Sequence, residues 1–222
     1  MLENNPQTLV STSWLLKHLN DPDLRIIDAS WYLPKMNRNG FKEYKDNHIP
    51  GARFFDIDEI CDLQNNLPHM APTPQKFVSR MKAMGIGDGH QIVIYDGHGI
   101  FSSARVWWMF RLFGKKNVAV LDGGLPKWLE AKNPTDNKSP VLRDRHITVQ
   151  FQAGLIKDVT QVASASKLST STILDARSMS RFKGEEVEPR PGLRSGHIPA
   201  VSYTHLRAHE TLRYLVCRLL LE

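Results

Sequence analysis

Cysteine is nearly missing from this chain: of 222 residues only Cys61 and Cys217 carry a thiol. Their spacing fits neither a disulfide framework nor a paired metal knuckle, so the fold must rest on its core, and a reducing compartment suits it. No apolar run approaches the roughly 20 residues that a membrane-spanning helix needs. Met1 to Leu9 has no basic stretch followed by an apolar core, so no secretory signal is read there, and the cytoplasm is the expected location. Blocks of like charge are also absent, and aromatics are not interleaved with arginines. The net charge of +6 is therefore scattered, which argues against nucleic acid and for a small anion as partner. Three arginines against two glutamates lie in residues 201–222, so the basic excess belongs to the preceding residues.

What is present alternates between two periods. Trp14, Leu15, Leu16 and Leu19 share one helical face over Thr12 to Leu19, with Ser11 or Thr12 available as cap. Leu24 to Ile27, ending at Asp28, and Gln91 to Asp96 are apolar runs without alternation, the pattern of strands covered on both faces. Lys76 to Met84 and Ser102 to Phe113 read as helices closed by glycines. Val118 to Leu121 reads as a strand turning at Gly123 and Gly124 into a helix with Pro126 in its first turn. Trp107 and Trp108 lie within the second of those helices and read as core packing. Strands alternating with helices predict an α/β fold with a mainly parallel sheet.

Asn133 to Pro140 is polar and holds two prolines, the composition of a linker. Beyond it the pattern restarts: Val159 to Leu168 predicts a helix, and Thr172 to Leu174 a strand ending at Asp175. Gly196-His197-Ile198-Pro199 echoes Asn47-His48-Ile49-Pro50. Asp28 and Asp175 are 147 apart, and His48 and His197 are 149 apart. Two landmarks repeating at nearly one interval indicate an internal duplication. The reading is a first domain over 1–135, a linker over 136–141, an incomplete second domain over 142–200 and an unrelated tail over 201–222.

Tyr44 to Asp58 (YKDNHIPGARFFDID), Tyr95-Asp96, Arg105 to Arg111 (RVWWMFR), Leu121 to Gly124 (LDGG) and Arg181 to Pro199 (RFKGEEVEPRPGLRSGHIP) together resemble the tandem rhodanese-domain sulfurtransferases, within them the 3-mercaptopyruvate branch. The resemblance spans Leu9 to about Pro199. It implies two similar α/β domains, the first silent and the second carrying a nucleophilic cysteine in a loop after a central strand. Backbone amides and a helix N-terminus lower the pKa of such a thiol, letting it accept sulfur as a persulfide. In the first copy Asp96 fills that position. In the second, the strand and loop that would supply the cysteine are not reached, and the tail looks like translated adaptor sequence. The chain as given is expected to be inactive.

The resemblance also assigns residues. Arg181 and Arg190 match the arginines that clamp the substrate's carboxylate and keto oxygens, a task suited to planar guanidinium groups. Asp58 and His69 match groups of the first domain that face the catalytic loop and support proton transfer. Cys61, with no glycine-rich amide loop after it, reads as structural. His205 and His209 are four apart with Glu210 following, but no third ligand is evident, so neither a metal nor a cofactor is expected. The expected partners are a small anionic sulfur donor and a thiol or cyanide acceptor, with thiosulfate as the competing donor. The competing class of function is a non-catalytic rhodanese-like binding module, for which the missing cysteine and Asp96 in the first copy are the motives.

Overall fold

A computed structural model describes residues 4–168, 171–189 and 192–203. The chain divides into two compact units, Met1–Gln152 and Ala153–Glu222.

In the first unit, five strands form one parallel sheet in the order β1-β5-β4-β2-β3. They are β1 (Leu9–Val10), β2 (Leu24–Asp28), β3 (Arg53–Phe54), β4 (Gln91–Tyr95) and β5 (Val118–Leu121). The helices are α1 (Thr12–His18), α2 (Gly40–Asp46), α3 (Pro74–Ala83), α4 (Ser103–Leu112) and α5 (Gly124–Glu130). The fold is an α/β arrangement of a parallel sheet flanked by helices, as the alternation of strands and helices predicted. Ile92, Val93, Ile94 and Tyr95 of the central strand are all buried, as a run without alternation requires when both faces are covered. Local chemistry starts the helices: the Ser11 hydroxyl accepts from the amide of Trp14 at 3.1 Å, and Thr73 does the same for Lys76 at 3.2 Å, with Pro74 following where a missing amide costs nothing. Trp108 is buried. Trp107 is only half-buried, and its indole N–H donates to the carbonyl of Val118 at 2.9 Å.

The sequence puts residues 142–152 in the second domain; the structure lays them along the first unit. Asp88 binds Thr148 through its amide at 2.7 Å and its hydroxyl at 2.9 Å. The amides of Gln150 and Gln152 donate to the carbonyls of Phe113 and Leu112, at 3.0 and 2.7 Å. Ile147 is buried here and the Phe151 ring lies 5.9 Å from that of Phe113, so side chains as well as backbone make the attachment. The turn that receives it needs glycine: Gly114 has φ +85°, and a Cβ there would meet the Gln150 carbonyl at 3.0 Å.

The second unit holds α6 (Val159–Leu168), β6 (Leu174–Asp175), α7 (Met179–Lys183) and β7 (Ser202–Tyr203). Strands β6 and β7 are parallel, with Leu174 opposite Ser202 and Asp175 opposite Tyr203. Strands β2 and β3 pair likewise, with Ile27 opposite Arg53 and Asp28 opposite Phe54. The first strand of each pair is offset by 147 residues and the second by 149, so the like pairing extends to Tyr203. That is past the point where similarity to Pro199 ends and inside the span read as tail. The histidines repeat too. His48 stacks on Tyr44 at 4.3 Å with Nδ1 2.6 Å from that residue's carbonyl, and His197 stacks on Phe182 at 3.9 Å with Nδ1 2.8 Å from its carbonyl.

Candidate functional site

In an open parallel sheet, loops at the carboxyl ends of the strands carry the chemistry. In the first unit those loops bring together Asp58, His69 and Trp31, and another of them holds Asp96. Asp58 lies in a loop organised by its own carboxylates: Asp56 accepts from the amides of Asp58 and Glu59 at 3.0 and 3.2 Å, and Asp62 is tied through its amide to the Met70 carbonyl at 2.9 Å. This brings His69 back onto Asp58, with Nε2 2.6 Å from Oδ1. His69 takes a left-handed backbone, φ +59°, that only a few non-glycine residues adopt. The Arg105 guanidinium donates to its carbonyl.

Trp31, just beyond β2, completes the cluster. Its indole N–H is shared between the two Asp58 oxygens at 3.0 and 3.1 Å, and its ring meets His69 edge-on at 5.1 Å. Asp58 and His69, both named from the sequence, are brought into contact here, whereas Trp31 and Arg105 were not legible as partners. Cys61 donates its thiol to the Asp58 carbonyl at 3.0 Å, and burial pushes its pKa up, so it is held as a neutral thiol.

Asp96 fills the loop between β4 and α4. Oδ1 accepts from the amides of His98 and Gly99, both at 2.9 Å. Oδ2 accepts from the amides of Phe101 and Ser103 at 2.7 and 2.9 Å and from the Ser103 hydroxyl at 2.6 Å. The ring of amides that could stabilise a thiolate or an oxyanion is thus occupied by a carboxylate of the same loop.

In the second unit the polar cluster forms on β6 and α7. Arg177 binds the Asp175 carboxylate through Nε and Nη2 at 3.1 and 2.7 Å, Glu188 through Nη1 at 2.7 Å, and the Gly196 carbonyl at 2.6 Å. Arg181 donates from Nε to Glu188 Oε2 at 3.1 Å and from Nη2 to the same oxygen. Burial would raise the Asp175 carboxyl, but hydrogen bonds from Arg177 outweigh it and hold it below its ordinary value. Arg190, His205, His209 and Cys217 lie outside the described residues. Among the described residues no group of three histidine, cysteine or acidic side chains is placed to hold a metal ion. No described helix is long and apolar enough to cross a membrane.

The rhodanese-like domain family matches residues 11–131, and the chain belongs to that family. It is 42% identical to thiosulfate/3-mercaptopyruvate sulfurtransferase 1, mitochondrial, of Arabidopsis thaliana, over 87% of this chain and 56% of that protein. It is 40% identical to the 3-mercaptopyruvate sulfurtransferase of Escherichia coli K12, over 86% of this chain and 68% of that protein. Its fold superposes on the crystal structure of the 3-mercaptopyruvate sulfotransferase SseA from Escherichia coli with a TM-score of 0.81 and 36% identity, covering 89% of this chain and 74% of the other. The chain thus spans between about half and two thirds of the length of these two curated relatives.

Proposed function

We propose that the complete protein is a sulfurtransferase that takes sulfur from 3-mercaptopyruvate and passes it, through a cysteine persulfide, to a thiol or cyanide. The observation that carries this reading is the Asp58–His69 pair, set at the carboxyl ends of the strands in a chain whose relatives bear that activity in their names. A cysteine thiolate attacks the substrate sulfur, forming an S–S bond as the C–S bond breaks. The electron pair leaves on carbon as the enolate of pyruvate, which one proton converts to pyruvate. Arg181 and Arg190 neutralise the substrate's carboxylate and keto oxygen, and Asp58 and His69 manage the proton. In the first unit Asp96, not a cysteine, holds the place after β4, so the nucleophile of this reading lies outside that unit. The near absence of cysteine supports a reducing, cytoplasmic setting.

Sulfide release from 3-mercaptopyruvate with a reducing thiol tests the reading. The complete protein should release it, and no release from a folded complete protein would overturn it. A second reading, thiosulfate as donor, is favoured by the relatives whose names include thiosulfate. A higher kcat/KM for thiosulfate than for 3-mercaptopyruvate would select it. If neither donor is used and a partner is captured specifically, the binding-module reading takes over, for which the carboxylate of Asp96 in the anion loop is the support.

A further inference from the structure

Glu188 sits where no solvated surface carboxylate would. Its side chain is 3% exposed, in contact with Arg177 through Oε1 and Arg181 through Oε2. A buried carboxylate is costly unless charged and hydrogen-bonded partners compensate it, and here each oxygen has its own guanidinium. The two arginines differ in what remains to them. Arg177 spends every nitrogen on Asp175, Glu188 and the Gly196 carbonyl, and so is structural. Arg181 gives Glu188 only its Nε/Nη2 edge. Among the described residues its end-on edge, Nη1 with the second proton of Nη2, carries no hydrogen bond.

An arginine on a short helix has four rotatable side-chain bonds and would sample many orientations in water. Two charge-assisted bonds to one buried oxygen fix the plane of the guanidinium and choose which edge stays outward. Ser178 caps this helix at its start, and Gly184 ends it in the left-handed conformation, φ +77°, so Arg181 is anchored at the backbone as well. We propose that Glu188 is the positioning residue for Arg181: it holds the side-on edge of the guanidinium and so presents the end-on edge to an incoming carboxylate. This rests on the reading that Arg181 receives the anionic keto acid.

Glutamine is the informative replacement, because it keeps the shape but has one acceptor oxygen. In Glu188→Gln the amide NH2 must face one of the two arginines. Arg177 is already held by Asp175, so the loss falls on Arg181. In the complete protein, Glu188→Gln should raise KM for 3-mercaptopyruvate by about tenfold or more, the worth of one charge-assisted hydrogen bond, with kcat within about threefold. Glu188→Asp keeps the charge and should recover part of the affinity, which a purely structural role would not predict; it also serves if Glu188→Gln fails to fold. A KM within about twofold of wild type in folded Glu188→Gln would overturn the proposal, as would a Glu188→Asp that recovers none of the lost affinity. A second measurement separates this from failure of the functional reading. In the wild-type complete protein the Arg181 Nε–H should give a slowly exchanging NMR signal that Glu188→Gln abolishes. If wild type turns over no 3-mercaptopyruvate, the functional reading falls, and the Arg181 signal alone then decides whether Glu188 holds that side chain. An Arg181 signal that is equally fast in both proteins overturns the positioning.

Discussion

Asp28 and Asp175 close corresponding strands of the two repeats and make the same backbone turn, each accepting the amide two residues on, at 2.8 and 2.9 Å, yet their carboxyls shift in opposite directions. Burial pushes Asp28 up to about 6 against hydrogen bonds from Ser30 and Tyr95. Asp175 is held low because the residue two places on is Arg177, whose guanidinium closes on it, where the first repeat has Ser30. One side chain within a shared turn decides whether the buried acid is tolerated as an acid or stabilised as an anion.

A pH prediction follows from Asp28 and His90. The folded chain keeps a proton on Asp28 up to about pH 6, whereas the unfolded chain loses it near pH ~4, so this group removes stability as pH rises through that window. Burial, with Arg25 and Lys115 nearby, lowers His90 to about 4. The unfolded chain protonates this histidine first, so its contribution is lost as pH falls from ~6.5. The two slopes oppose each other. Asp28→Asn should gain about 2–3 kcal/mol over wild type between pH 4 and 7, and His90→Gln should gain relative stability in the other direction. Urea unfolding followed by tryptophan fluorescence at several pH values reads both; variants whose curves run parallel to wild type would refute the assignment.

Removing Asp96 should unsettle the β4–α4 loop. Asp96→Ala leaves four amides and the Ser103 hydroxyl without their acceptor, a loss of about 2–4 kcal/mol in denaturant unfolding. Asp96→Cys keeps a side chain that ionises at that point. Its thiol should react with iodoacetamide as a group titrating below the ordinary ~8.5, because the same amides favour the anion. A thiol of ordinary reactivity would show that the ring does not survive without the carboxylate.

Arg177→Met should destabilise the second unit, because it strips Asp175 and Glu188 of their shared cation while both stay buried. The expected cost is about 3–5 kcal/mol, read as faster amide exchange at Leu174 and Asp175. Exchange there unchanged from wild type would count against the network.

For the reaction itself, His69→Ala and Asp58→Asn in the complete protein should lower kcat by about 10²–10⁴-fold, the range for loss of a proton-transfer group, and leave KM nearly unchanged. Trp31→Phe, which keeps an aromatic ring but removes the pyrrole part of the indole with the N–H shared by the Asp58 oxygens, should give a smaller loss. Wild-type kcat in all three would remove these residues from the mechanism.

The sequence by itself determined α1, β2, α3, β4, α4, β5, α5, α6 and β6 and the covered parallel sheet, but not β1, α2, β3 or α7, because apolar period, caps and turn residues are local features that survive without knowledge of the chain's path. Spacing and resemblance also brought Asp58 and His69 forward as a pair. Only the tertiary structure decided the rest. Trp31 reaches Asp58 across 27 residues. The like pairing extends to β7, which two residues are too few to announce. Residues 142–152 return to the first unit through backbone hydrogen bonds and through Ile147, Thr148 and Phe151, whose partners lie far away in the sequence. Arg181, legible as a charge seven residues before Glu188, became an oriented group only once folding buried that carboxylate between two guanidinium ions. Contacts of this kind depend on where the chain returns in space and on what burial leaves uncompensated, and neither is a property of neighbouring residues.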